Sequence, residues 1–96
     1  MKPVRFLRPA EMELLDAVQY YESQAPGLGK EFLGKIDNAV CDIGKNPERW
    51  PVVRHEVRRR FIHRFPYALL YRVDLHEAVV QAVMHLHRRP NYWLAR

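Results

Sequence analysis

Lysine disappears from this chain after residue 45, cysteine occurs once, and no apolar run approaches the roughly 20 residues that a bilayer span needs. Each shortage excludes something. The short apolar runs rule out a membrane-spanning helix. Cys41 alone cannot close an internal disulfide, which fits a reducing cytosol, and its place beside an apolar helical stripe predicts a core position. The opening "MKPVRFLRPAEMELL" has one apolar patch, broken by Arg and Pro, and so lacks the pattern of a signal peptide. Repeats and low-complexity segments are missing too. What is present, 48% hydrophobic and 28% charged residues over 96 positions, is the composition of one globular domain, 1–96, with room for a single core.

Charge is distributed unevenly. Residues 1–50 carry seven Lys/Arg against eight Asp/Glu, a net of −1; residues 51–96 carry nine Arg against three acids, a net of +6. All five histidines fall in the second half. Arginine's planar fork binds phosphate or carboxylate through two hydrogen bonds, so an anionic partner is expected for that half. A merely solubilising basic surface is the competing reading.

The hydrophobic period divides the chain in the same place. "PVRFL" (3–7) reads as a short strand. Pro9 then suits the first turn of a helix, and Leu14, Leu15, Val18, Tyr21 and Ala25 lay one apolar stripe along it. "PGLG" (26–29) is a turn. A second stripe follows through Leu28, Phe32, Leu33, Ile36, Val40 and Ile43, ended by Asn46-Pro47. So short a turn makes the two helices an antiparallel hairpin. "PERWP" (47–51) is a connector, with Trp50 capping the junction between helices and sheet. Beyond it the period drops to two, giving strands at 56–63, 67–73 and 78–87 in an antiparallel meander. The predicted architecture is α+β, β-α-α-β-β-β, with the hairpin packed on an antiparallel sheet.

Parity then assigns faces. In the last strand Ala78, Val80, Ala82, Met84 and Leu86 are expected against the helices, with Val79, Gln81, Val83, His85 and His87 on the other side. A tight turn at 74–77 pairs Arg72 near Val79 and sends Tyr67, Leu69, Tyr71 and Val73 to the core, bringing Ala68 and Arg64 near His85 and His87. Burying Val57 and Phe61 turns Arg58 and Arg60 outward, while Arg59 faces inward to a helix carboxylate. The helix-free face would then gather Arg58, Arg60, Arg72, His85 and His87, with Arg64 and Arg88 at its rim. A one-residue bulge would undo part of that patch.

The hairpin, "RRRFIHRFPYALLYRV" and the closing "VMHLHRRPNYW" together resemble the RelE/ParE superfamily of toxins from type II toxin–antitoxin systems, over essentially the whole chain. The resemblance implies a cytoplasmic toxin, involved in plasmid stabilisation or growth arrest, that a cognate antitoxin neutralises by wrapping a disordered segment around it. Leu15, Val18, Phe32, Ile36 and Arg58 are the expected antitoxin contacts. ParE-like members poison DNA gyrase; RelE-like members cut mRNA on the ribosome.

The gyrase reading needs no catalytic constellation: Arg58, Arg60, Arg64, Arg72, Arg88 and Tyr92 would bind the target, and Tyr92 and Trp93 would latch the tail onto the body or the target. The mRNA reading needs an acid, a base and cations around a phosphorane. It would use His85 or His87 with Arg60, and arginines as phosphate ligands. No cofactor and no membrane partner are expected. His85-x-His87 puts two imidazoles on one strand face, yet zinc usually wants a third protein ligand, and His63 serves only in a different register. Other readings are a non-toxic nucleic-acid-binding module, and an arginine run that merely protects a sheet edge.

Overall fold

The helical hairpin is locked by a carboxylate at its turn. In the computed structural model, which describes residues 1–96, α1 spans Arg8–Gln24 and α2 spans Leu28–Lys45. Pro9 lies in the first turn of α1, where its missing N–H costs nothing. Gly27 adopts φ 85°, the left-handed region that favours glycine. It has no side chain with which to cap α2. Glu22, in the last turn of α1, does so instead: its carboxylate accepts the N–H groups of Gly27 at 3.0 Å and Gly29 at 3.1 Å. The helices touch closely here, since a Cβ on Gly29 would stand 2.6 Å from the Val18 carbonyl oxygen.

Five strands form one mixed sheet: β1 (Val4–Phe6), β2 (Val52–Arg54), β3 (Val57–Phe61), β4 (Tyr67–Val73) and β5 (Ala78–His85), in the order β1-β5-β4-β3-β2. This is the expected α+β architecture with two differences. Strand β1 runs parallel to β5, with Val4 opposite Ala78 and Phe6 opposite Val80, because the helical hairpin supplies the long crossover a parallel pair requires. The second is β2, a three-residue strand after Pro51, too short to show a period. As expected, Arg72 pairs with Val79.

The meander breaks parity at one point. Leu70 pairs with Ala82 but Tyr71 with Val80, so Gln81 has no partner on β4. Beyond this bulge every side chain of β5 changes face. Ala78 and Val80 pack under the helices as expected, but so does Val83; Ala82 and Met84 lie on the opposite side. Two apolar layers result. The main core joins Phe32, Ile36 and Ile43 of α2 to Leu69, Tyr71, Val80 and Val83 of the sheet. A smaller cluster on the other face gathers Val57, Leu70, Ala82 and Trp93. Trp50 packs against the main core. Cys41, expected in the core, is exposed, because Ile36, Ala39 and Ile43 occupy the inward side of α2 and residue 41 falls opposite them.

Gly29→Ala should lower stability by roughly 1–3 kcal/mol, since backbone rather than a flexible side chain is in the way. Gly34→Ala, where an added Cβ meets nothing within 4 Å, should instead gain up to about 1 kcal/mol from helix propensity. Urea midpoints of the two variants test the pair.

Candidate functional site

Strand β5 outlasts its parallel neighbour. β1 stops at Phe6, the Leu7 N–H donates to Val80 O at 2.9 Å, and the chain then climbs into α1. The edge of β5 beyond residue 80 therefore has no strand beside it. Glu13, on the inward side of α1 between Ala10 and Ala17, takes that place. Its Oε1 accepts the Val83 N–H at 3.1 Å. The same carboxylate accepts the Tyr92 hydroxyl at 2.7 Å and Arg96 Nη1 at 2.7 Å, with Arg88 Nη1 at 3.7 Å. Arg96 also donates to Gln81 O at 3.1 Å. Thus one side-chain pair, Glu13–Arg96, satisfies the open strand edge and ties down the C-terminal segment.

The aromatic tail is a latch on the body. Trp93 is 3% exposed, inserted against Val57, Leu70 and Ala82, and the guanidiniums of Arg88 and Arg96 lie over the Tyr92 ring at 4.1 and 5.0 Å. Burial, and next the hydrogen bond to Glu13, raise the Tyr92 phenol above its ordinary value of 10. Beside this hub a cleft of about 260 Å³ opens between α1 and the end of β5, lined by Glu13, Asp16, Tyr20, Tyr67, His85 and Arg88.

The register of β3 against β4, and for the histidines the bulge in β5, redistribute the expected cationic patch. Arg58 and Arg60 do not face away from the helices. They pair with Tyr71 and Leu69 and share their face. Arg58 donates to the carbonyls of Glu48 and Trp50 at 2.9 and 2.7 Å, and Arg60 binds Asp42 of α2 at 2.6 Å. The ion pair to a helix carboxylate belongs to Arg60, and not to Arg59 as parity suggested. Arg59 lies on the opposite face, over the Phe61 ring at 4.5 Å, while Phe61 is 50% exposed rather than buried. Arg64 pairs with Glu31 and Arg72 with Asp74.

The three residues singled out for RNA chemistry are not brought together. Arg60 on β3 and His85 on β5 are separated by β4. His85 turns toward the helix side, its ring 5.1 Å from that of Tyr67, because the bulge reversed its face; Tyr67, and neither Ala68 nor Arg64, is its cross-strand neighbour. His87 lies past the strand end and donates its backbone N–H to His85 Nδ1 at 3.1 Å. No three His, Cys, Asp or Glu side chains are grouped as a metal would require.

Among the expected antitoxin contacts, Phe32 and Ile36 are core residues at 0% and 1% exposure and present no surface to a partner. Val18 is half-buried against the core, and Arg58 is held by backbone carbonyls. Leu15 is 52% exposed, and with Met12 it leaves an apolar outer side on α1, while the exposed Tyr20 stands at the cleft beside Glu13. Glu13 and Arg96 escaped the sequence reading. The signal for Glu13 was its spacing, three residues after Ala10 and four before Ala17 on the inward stripe, where a lone acid demands partners.

The family model described as "ParE toxin of type II toxin-antitoxin system, parDE" matches residues 4–92. Among solved structures, the chain is similar in fold to one described as "Chromosomal ParDE TA system from P. aeruginosa". The identity is 18% and the TM-score 0.79, covering 91% of this chain and 98% of the other. No curated protein sequence matches it.

Glu13→Gln should free the C-terminal segment and cost about 2–3 kcal/mol, the scale of hydrogen bonds to a charged group. Amide exchange should rise at Val83 and at residues 92–96 while the β3–β4 ladder stays protected. The alkaline limb follows from Tyr92. The folded chain holds the phenolic proton more tightly than the unfolded one, so this contribution is complete below pH 10 and is lost as pH climbs above it. Tyr92→Phe should flatten that part of the stability profile, read by urea titrations across the alkaline range.

Proposed function

This chain belongs to the ParE toxins of type II toxin–antitoxin systems, and from that premise we propose that it arrests growth by inhibiting DNA gyrase. A cognate antitoxin holds it inactive in the cytoplasm. The observation that carries the reading is the match of the toxin family over residues 4–92, nearly the whole chain. The site geometry supports inhibition by docking. Arg60 is committed to Asp42, Arg58 to backbone carbonyls and Arg64 to Glu31, so these cations serve the fold before they serve any phosphorane. His85 and His87 stand apart from them. No helix is long and apolar enough to cross a membrane.

The antitoxin surface we assign is the outer side of α1 at Met12 and Leu15, continuing past Tyr20 into the cleft at His85 and Arg88. An amphipathic segment fits it: apolar residues on the helix, an acid toward Arg88. Target docking falls to the basic end of the chain, where Arg88, Arg89 and the latched Tyr92 follow β5.

Inducing the protein without its antitoxin and pulse-labelling DNA and protein synthesis separately tests the target. DNA synthesis should collapse first, with an SOS response; an early collapse of translation with fragmented mRNA would replace gyrase by the ribosome. Leu15→Asp should stay toxic but escape neutralisation by the antitoxin. Truncation after Arg89 should weaken toxicity.

A further inference from the structure

The bulge in β5 leaves a buried polar side chain without a partner. Gln81 is 8% exposed. Its backbone carbonyl accepts from Arg96, but its carboxamide forms no hydrogen bond within the protein, although a buried amide ordinarily finds one. Nor is the group sealed in, since the only shielded side-chain polar atoms without a partner are the Nε atoms of Arg59 and Arg60. Its tip therefore opens into the cleft that it lines. That cleft, on the side of the sheet away from the helices, holds about 610 Å³, within the range of small-ligand sites. Bulges recur beside such sites because the extra residue re-aims a side chain.

The walls of the cleft divide by chemistry. Val57, Trp93 and Leu94 supply an apolar side. Arg72 supplies a cation. It pairs with Val79, two residues before Gln81 on the same face of β5, which sets Arg72 and Gln81 diagonally, roughly 7 Å apart along the strand. The Arg72 ion pair with Asp74 is loose, at 3.8 Å, longer than a hydrogen bond, so its donors remain available. His55 adds a further basic group, and Glu56 is the one acid in the wall. A carboxamide offers a donor and an acceptor in one plane, the complement of a nucleobase edge, as its bidentate pairing with adenine illustrates. A guanidinium suits a phosphate.

We propose that this cleft binds a nucleoside monophosphate, its base edge paired with the Gln81 carboxamide and its phosphate with Arg72. The apolar wall covers the ring. A longer strand suits the cleft less well, because Glu56 in the wall and Asp74 beside Arg72 repel further phosphates. Single strands also need exposed aromatic platforms, and Trp93 is buried. Leu94 and Arg96 belong to the C-terminal segment and line the same cleft, so an occupant also holds that segment in place. The site is on the opposite side of the sheet from α1, and it holds whether or not gyrase is the target.

The test is an NMR titration of the wild-type protein, following the Gln81 side-chain amide and the Arg72 Nε–Hε resonance. The probe is AMP. The comparisons are purine riboside 5′-monophosphate, which lacks the 6-amino donor, adenosine, which lacks the phosphate, and a pentaribonucleotide of adenosine. AMP should shift both resonances saturably, and the first two comparisons should each bind roughly tenfold more weakly. Gln81→Met should abolish the preference for AMP over its deamino analogue and keep the preference over adenosine. Arg72→Gln should do the reverse, which keeps the proposal testable should either variant fail to fold. Arg49→Gln, outside the cleft, should leave binding unchanged. An unmoved Gln81 resonance, equal binding of AMP and its deamino analogue, or a pentanucleotide bound roughly tenfold more tightly than AMP overturns the proposal. Toxicity and neutralisation by antitoxin are separate readouts, so loss of this site leaves the toxin reading standing.

Discussion

A strand of eight residues lies beside a parallel neighbour of three, and the rest of the molecule is arranged around that mismatch. β1 must end at Phe6 because the chain has to leave the sheet to start α1, yet β5 continues to His85. The backbone groups of Gln81 and Val83 face α1 with no ladder to enter, and unpaired polar groups at such a place are costly. Glu13 takes the N–H and Arg96 supplies the donor for the C=O, and the two close on each other at 2.7 Å. Two side chains stand in for the missing strand. The consequence is that the last residue of the chain is bound to the first helix, and the segment between Arg88 and Arg96 has its course across the sheet set at both ends.

The second constraint is the bulge at Gln81. Without it β5 would present one uninterrupted apolar face to the helices and both histidines to the opposite side. With it, Val83 completes the main core, and Ala82 and Met84 become the floor on which Trp93 sits. The bulge thereby creates the second apolar cluster and gives the aromatic tail its seat. The electrostatics is set elsewhere, by the register of β3 against β4. Arg58 and Arg60 stand on the helix side, where Asp42 and the carbonyls of the Pro47–Trp50 connector absorb their donors. Arg59 stands on the other side, over the Phe61 ring. The surplus positive charge of the second half is not a single patch; the alternation of β3 divides it between Arg58 and Arg60 on the helix side and Arg59 on the other.

Much of this was legible beforehand, for definite reasons. The two helical stripes, the change of period after Trp50 and the turn at Asp74–Glu77 are local signals, and the pairing of Arg72 with Val79 follows from the shortness of that turn. The bulge is invisible to parity, since nothing in Val80-Gln81-Ala82 departs from alternation. β2 is too short to have a period, and its strand character comes from pairing with β3. Phe32 and Ile36 were correctly placed on an apolar stripe, but a stripe does not say whether the core or a partner covers it, and here the core does. The hub was missed because Glu13 acquires meaning only from Val83, Tyr92 and Arg96, which are 70 or more residues away.

α1 joins these features into one device. Its outer side carries Met12 and Leu15, and its inner side carries Glu13, with Tyr20 two turns further on beside the same cleft. A partner gripping the outer side therefore holds the element that fixes the C-terminal segment. Because the helix is rigid across its three or four central turns, displacing it by even an ångström would strain bonds of 2.7 Å to Tyr92 and Arg96. The surface proposed for the antitoxin and the hub that fixes the tail thus meet on a single helix, and a partner that displaced α1 would change the geometry of the tail.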